Sequence, residues 1–143
     1  FTPELFASHL ARVAEGARQR RRPLSVAVLR VAETEAVAEA RKGGWLDRAL
    51  PQIGAMVSRL IRTEDTAARL SPYVFALALP ATRAGSGRIA ADRIGAVIGC
   101  TAFDAGPDKT PFVVEFDMGV AEIQPGESAA DVLTRASQDI AGR

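Results

Sequence analysis

The chain has 143 residues, the length of a single domain, and 48% of them are hydrophobic, which is enough to form a core at this size. Eighteen basic against 17 acidic residues leave a net charge of +1, which argues against a broad nucleic-acid-binding surface. Cys100 is the only cysteine, so an internal disulfide is excluded and a reducing, cytoplasmic compartment is expected.

The ends of the sequence and its longest apolar runs bear on targeting. No apolar run approaches the roughly 18 residues of a membrane span, so direct membrane insertion by this segment is not expected. The chain lacks an initiator Met and starts at Phe1 inside a helix-like pattern. We therefore expect residues 1–143 to form one domain that is a fragment of a longer multidomain protein.

Apolar spacing predicts ten elements in the order α-β-α-α-β-β-α-β-β-α. In chain order they are helix 2–20, strand 24–31, helices 33–41 and 45–62, strands 66–70 and 73–79, helix 82–98, strands 101–103 and 112–123, and helix 128–141. Pro51 is expected to kink the third helix or to delay its start. Strands separated by helices around one hairpin predict an α/β (α+β) fold with a mixed central sheet of about five strands flanked by helices.

Six short segments resemble segments of the GGDEF (diguanylate cyclase) domain family, in the same order and at near-constant spacing. They are RRRPLSVAVL at 20–29, RL at 69–70, FALALP at 75–80, ADRI at 91–94, GVA at 119–121 and VLTRA at 132–136. The resemblance covers the chain from its first helix to its last. It implies a nucleotidyl-cyclase-like fold for this domain.

The catalytic positions of that family are occupied here by unsuitable residues. Arg30 stands where an acidic residue holds magnesium, and the GG(D/E)EF signature reads Ser71-Pro72-Tyr73-Val74-Phe75. Pro72 removes the conformational freedom and the N–H donor of a glycine, and Tyr73 and Val74 offer no carboxylate. Two-metal phosphoryl chemistry needs such carboxylates. We therefore expect no catalytic residue, no metal and no cyclase activity, with the Tyr73 ring covering the former nucleotide cleft.

The RxxD inhibitory-site motif of the family is preserved as Arg62-Thr63-Glu64-Asp65, in register with the signature. An Arg can pair with guanine O6 and N7 or with phosphate, and an Asp can accept from guanine N1–H and N2–H. Family members often add a second Arg from the next helix, and that position is Arg93 here. The resemblance thus implies cyclic di-GMP binding by Arg62, Asp65 and Arg93.

Plainer interpretations of the same residues stay open. Arg62 and Asp65 suit a surface ion pair at a helix end, worth about 0–1 kcal/mol, and Arg93 suits a solvated helix residue. Arg30 suits either a surface arginine or a salt bridge that replaces the lost magnesium charge.

The leading hypothesis is a degenerate, inactive GGDEF domain. It would take cyclic di-GMP as its regulatory ligand, need no other cofactor, and relay the signal through a homodimer or a protein partner. The alternative is a nucleotide-independent dimerisation or scaffold domain of a bacterial signalling protein.

Overall fold

The computed structural model describes residues 2–141. Nine elements follow one another in this range: α1 (Pro3–Arg20), β1 (Leu24–Val31), α2 (Glu35–Lys42), α3 (Trp45–Leu60), β2 (Thr66–Ser71), β3 (Val74–Pro80), α4 (Ala84–Gly99), β4 (Phe116–Glu122) and α5 (Ala129–Ala141). No helix in this range is both long enough and apolar enough to cross a membrane.

The four strands form one sheet in the order β2-β3-β1-β4, and all three pairings are antiparallel. The strands β1 and β3 are central and buried on both faces, which explains their continuous apolar runs. In the register, Leu24 lies opposite Pro80, and Arg30 lies between Val74 of β3 and Asp117 of β4.

Helices cover both faces of the sheet, and each face has its own hydrophobic cluster. The helices α2, α3 and α4 pack on one face, together with Leu29, Leu77 and Phe75 of the sheet. The helices α1 and α5 pack on the other face, with side chains from the same central strands such as Val28. Because side chains alternate along β1 and β3, these two strands contribute to the hydrophobic clusters on both faces of the sheet.

The predicted fold class is confirmed, but the sheet differs from the prediction in two respects. It has four strands rather than about five, and its neighbouring strands are antiparallel rather than mixed. The helical crossover from β1 leads to β2, and β3 lies between these two strands. The crossover from β3 leads to β4, and β1 lies between them. Interleaving the two crossovers in this way makes every neighbouring pair antiparallel.

The predicted strand at 101–103 and the first part of the strand at 112–123 are wrong. Phe103 and Phe112 form one isolated antiparallel bridge, and their rings are 5.8 Å apart. The long strand begins only at Phe116. Both phenylalanines are buried, so their apolar character serves ring packing rather than a ladder.

Several helix boundaries also differ from the prediction, by one or two residues. The second helix begins at Glu35 rather than Glu33, because Thr34 is its N-cap and accepts from Val37 N–H at 3.2 Å. The third helix begins at Trp45 and contains Pro51, so the proline did not delay its start. It ends at Leu60, two residues earlier than predicted, and Ile61 is extended, which starts the turn that holds Arg62.

The helix α5 lies close to β4 and is fixed at its start by an ion pair. A Cβ on Gly119 would be 2.0 Å from the Ala136 carbonyl oxygen, so a side chain there would push the helix away. Arg135 donates to both carboxylate oxygens of Glu127, at 2.6 and 2.8 Å, and to the Glu122 carbonyl oxygen at 2.6 Å. The hydrogen bond from Arg135 is the main reason that the pKa of Glu127 is lowered.

Candidate functional site

Arg62 and Asp65 face each other across the turn that follows α3. The Arg62 guanidinium donates to Asp65 through Nε, at 3.0 Å from Oδ2, and through Nη2, at 2.7 Å from Oδ1. The backbone N–H of Arg62 also donates to Asp65 Oδ2, at 2.9 Å, and the Asp65 N–H returns a bond to the Arg62 carbonyl at 3.0 Å. The turn therefore satisfies its own polar groups.

The two partners differ sharply in exposure. The Asp65 side chain is 4% exposed, whereas the Arg62 side chain is 50% exposed. The pair is thus a buried carboxylate capped by a half-exposed cation, and not the fully exposed surface pair of the plainer interpretation. The hydrogen bond with Asp65 is the largest cause of the raised pKa of Arg62.

A second element also holds Arg62. Its Nη2 donates to the Pro80 carbonyl oxygen at 3.1 Å and to Thr82 Oγ1 at 2.8 Å, and the Thr82 hydroxyl in turn donates to the Pro80 carbonyl at 2.8 Å. Thr82 is buried. Sequence reasoning missed this residue, because it lies 20 positions after Arg62 and no local pattern joins the two.

Arg93 lies on α4, is exposed, and makes no hydrogen bond or ion pair with Arg62, Asp65 or any other described residue. Its helix neighbours Ile89 and Val97, one turn before and after it, are 62% and 42% exposed. The structure therefore brings two of the three predicted ligand residues into contact and leaves the third on a surface with apolar side chains on either side.

The segment Ser71–Phe75 contains the hairpin turn between β2 and β3. Ser71 pairs with Val74, so Pro72 and Tyr73 are the two turn residues, and neither has a positive φ. A register shift before Ser71 and a 3.1 Å bond from Arg69 Nε to the Pro72 carbonyl complete the turn. This geometry accommodates proline, where a primed turn would favour glycine.

The side chains of the signature serve packing. Phe75 is 2% exposed in the core, and Tyr73 is half-buried and packs against the same cluster. The Tyr73 carbonyl accepts from Val31 N–H at 2.9 Å, which ties the turn to the end of β1. Ser71 and Pro72 themselves are exposed.

Arg30 is a strand residue and forms an ion pair. Its Nη2 is 3.2 Å from Asp117 Oδ2, and both side chains are about half exposed. Arg30 is therefore a half-exposed arginine that is paired with a carboxylate. Such an exposed pair contributes about 0–1 kcal/mol to stability.

The row of residues at Arg30 holds a single carboxylate. The register sets Arg30 directly against Val74 on one side and Asp117 on the other, and Asp117 is paired with Arg30. Within residues 2–141, no group of three His, Cys, Asp or Glu side chains is placed to hold a metal ion. A divalent cation at this row would have to compete with the Arg30 guanidinium for Asp117.

A second ion pair joins α2 to the segment before it. Arg41 of α2 donates to Glu33 through Nη1 at 2.7 Å and Nη2 at 2.5 Å. These hydrogen bonds are the main reason that the pKa of Glu33 is lowered and that of Arg41 raised.

Several known proteins share this architecture. The model of the diguanylate cyclase GGDEF domain family matches residues 4–141. The GGDEF domain of FimX from Pseudomonas aeruginosa is 17% identical, with a TM-score of 0.84 over 99% of this chain and 87% of that chain. The GGDEF domain of DgcB from Caulobacter crescentus, in complex with c-di-GMP, is 19% identical, with a TM-score of 0.86 over 99% and 81%.

A third similar structure carries a partner protein. Diguanylate cyclase SiaD from Pseudomonas aeruginosa, in complex with its activator SiaC, is 20% identical, with a TM-score of 0.85 over 99% of this chain and 54% of that chain. No curated protein matches the chain in sequence. At these identities the solved structures establish a common fold.

Proposed function

We propose that this chain, a member of the diguanylate cyclase GGDEF family, is a catalytically inactive signalling domain that binds cyclic di-GMP at Arg62, Asp65 and Arg93 and relays binding through dimerisation or a protein partner. The observation that carries the proposal is the half-exposed Arg62 guanidinium, fixed from behind by Asp65, Pro80 and Thr82. A preorganised, planar cation of this kind suits the acceptor edge of guanine or a phosphate.

Catalytic inactivity is inferred from charge and register at the signature. A cyclase must hold metal-bound phosphates beside this hairpin, and here the guanidinium of Arg30 lies between Val74 and Asp117. A fixed positive charge repels a divalent cation, and Val74 offers no ligand atom. Asp117 is bound to Arg30 and is the only carboxylate in this row of three residues.

Ligand binding at Asp65 involves an exchange of partners. The Asp65 carboxylate now accepts from Arg62, and guanine N1–H and N2–H could replace the two side-chain donors. The released Arg62 guanidinium would then bond guanine O6 and N7 instead of the carboxylate. The two side-chain bonds of the pair are replaced by two bonds from guanine to Asp65 and two from Arg62 to guanine, so neither charged group is left unpaired and the exchange costs far less than breaking the pair outright.

Of the three proposed ligand residues, Arg93 has the smallest structural role. Its guanidinium has no acceptor within the described part of the chain, so a ligand does not have to displace one. Ile89 and Val97 flank it on the exposed face of α4. A ligand that bridges Arg93 to a second protein surface would also bury these two apolar side chains, which favours association.

Isothermal titration calorimetry with cyclic di-GMP tests the proposal. Arg93→Ala should weaken binding roughly 5- to 150-fold, the range for losing about 1–3 kcal/mol at a guanine contact. Lys109→Ala is the matched control, because Lys109 is an exposed cation in the 104–111 loop, away from all three residues. Arg88→Ala would be a poor control, since Arg88 bonds the Met118 carbonyl at 3.1 Å.

The alternative, a nucleotide-independent scaffold, has one observation in its favour. Arg62 and Asp65 satisfy each other's charges, so the pair is stable without a ligand. Absence of heat and of any thermal shift with folded wild-type protein at high ligand excess would replace the sensor with the scaffold. Sedimentation with and without cyclic di-GMP then separates ligand-dependent from constitutive dimerisation.

A further inference from the structure

A groove of about 480 Å³ lies between α1 and the end of β3, at Pro80 and Ala81. Its charged lining consists of His9, Arg12, Arg20 and Arg22, and no carboxylate of the described residues lines it. The chain as a whole is nearly neutral, so this is a local concentration of positive charge. A groove with fixed charge of one sign attracts the opposite charge.

Among residues 2–141, the arginines of the groove have no ion-pair partner, since no carboxylate there lies within 4.0 Å of the Arg12, Arg20 or Arg22 guanidinium. Arg22 also lines the adjoining groove, where Arg18 pairs with Glu15 and Arg83 pairs with Glu122. Carboxylates therefore offset much of the positive charge in the adjoining groove, whereas no carboxylate of the described residues lines the groove at Pro80.

Gly16 gives the Arg20 guanidinium its place in the groove. A Cβ on Gly16 would lie 3.1 Å from Arg20 Nη1, so that side chain folds back along α1 over the glycine. Glycine inside a helix lowers helix stability, and here it makes room for a cation. Burial lowers the pKa of His9, which also lines the groove, and the charge of Arg12 lowers that pKa further.

We propose that this groove binds a phosphate group that carries two negative charges, free in solution or borne by a larger ligand. Guanidinium forks bond phosphate oxygens in pairs, and converging cations bind a dianion better than a singly charged phosphodiester. The C-terminal end of α1 carries roughly half a negative charge from the helix dipole, and this disfavours a bound anion. Arg12, Arg20 and Arg22 outweigh it, and the Ala17 and Arg18 carbonyls in the last turn of α1 are already bonded to the N–H groups of Arg21 and Arg22.

The test uses inorganic pyrophosphate in calorimetry at low salt. Arg12→Gln and Arg20→Gln should each weaken binding about tenfold, the effect of one charge-assisted hydrogen bond in an open groove. Gly16→Glu should weaken it at least as much, because it sets a carboxylate against Arg20 while keeping every arginine and raising helix propensity. Arg59→Gln is the control, since Arg59 is an exposed helix arginine outside the groove and should change binding less than twofold.

Co-sedimentation with phosphatidylcholine vesicles, with and without phosphatidic acid, identifies the source of the phosphate. Pyrophosphate binding with the expected variant pattern supports a free ligand, and the same pattern with phosphatidic acid vesicles alone supports a lipid phosphate. The proposal is overturned if neither probe binds, or if Arg59→Gln weakens binding as much as Arg12→Gln does. Circular dichroism of each variant confirms the fold. Cyclic di-GMP titrations of the same variants should match wild type, which keeps this site separate from Arg62.

Discussion

The ion pair between Arg62 and Asp65 should be a measurable part of the stability of this domain. Arg62→Ala leaves a carboxylate that is 4% exposed with only a backbone N–H as donor. Breaking a fully buried pair costs about 3–5 kcal/mol. Because Arg62 is half exposed, the expected loss is discounted to about 2–3 kcal/mol.

The reverse change should cost less. Asp65→Ala removes the acceptor of the Arg62 N–H, while the exposed guanidinium can be hydrated, so about 1–2 kcal/mol is expected. In the double variant no buried charge is left unpaired, so its loss should be about that of Asp65→Ala alone. The coupling energy of the cycle is then about 2–3 kcal/mol.

Urea unfolding followed by the fluorescence of Trp45, the single tryptophan, measures these differences. Arg93→Ala is the matched control and should change the free energy of unfolding by less than about 0.5 kcal/mol, because Arg93 is exposed and unpaired with described residues. Equal losses for Arg62→Ala and Arg93→Ala, or strict additivity in the cycle, would refute the reasoning.

Three further outcomes are expected. Purified protein incubated with GTP and magnesium or manganese should yield no cyclic di-GMP by chromatography, and turnover that is lost on changing Val74 would contradict this. Glu127→Gln should cost about 1–2 kcal/mol at pH 7, after discounting for the partly exposed Arg135. In urea titrations that difference should persist above the ordinary pKa of 4.5 and vanish as pH falls through the lowered pKa of Glu127, where the carboxylate of the folded state is neutralised. Gly119→Ala should lower the melting temperature, since its Cβ would meet the Ala136 carbonyl at 2.0 Å, and an unchanged melting temperature would show that α5 can shift freely.

The sequence was sufficient for those elements whose burial is periodic or continuous. The strand at Leu24–Val31 was predicted with its observed boundaries, because a run of apolar residues after Pro23 leaves no other economical assignment. The strand at 112–123 was overextended, because an apolar residue such as Phe112 looks the same in a ladder as in a ring pair with Phe103. Tertiary packing decides between the two, and local sequence does not report it.

The contact between Arg62 and Asp65 could be predicted from the sequence, but its surroundings could not. The spacing of Arg62 and Asp65 is local, so a contact between them could be expected from a turn of four residues. The burial of Asp65 could not, because it depends on how the end of α3 meets the end of β3. The bonds from Arg62 to Pro80 and Thr82 depend on the same meeting point, which is set by the return of β3 beside β1.

That meeting point connects the proposed ligand site to the rest of the domain. Pro80 and Thr82 lie at the start of the connection from β3 to α4, the helix that carries Arg93. Arg62 follows the end of α3 and bonds to both residues. When a ligand takes Arg62 away from Asp65, the bonds from Arg62 to Thr82 and to the Pro80 carbonyl are either kept or lost. Keeping them preserves the α3 to α4 junction, and losing them frees it.

Thr82→Val separates the two cases. It removes one bond to Arg62 without touching Asp65. If ligand binding breaks that bond, the variant should bind cyclic di-GMP about five- to tenfold more tightly, because the bond no longer has to be given up. Unchanged affinity means that the bond is kept in the bound state.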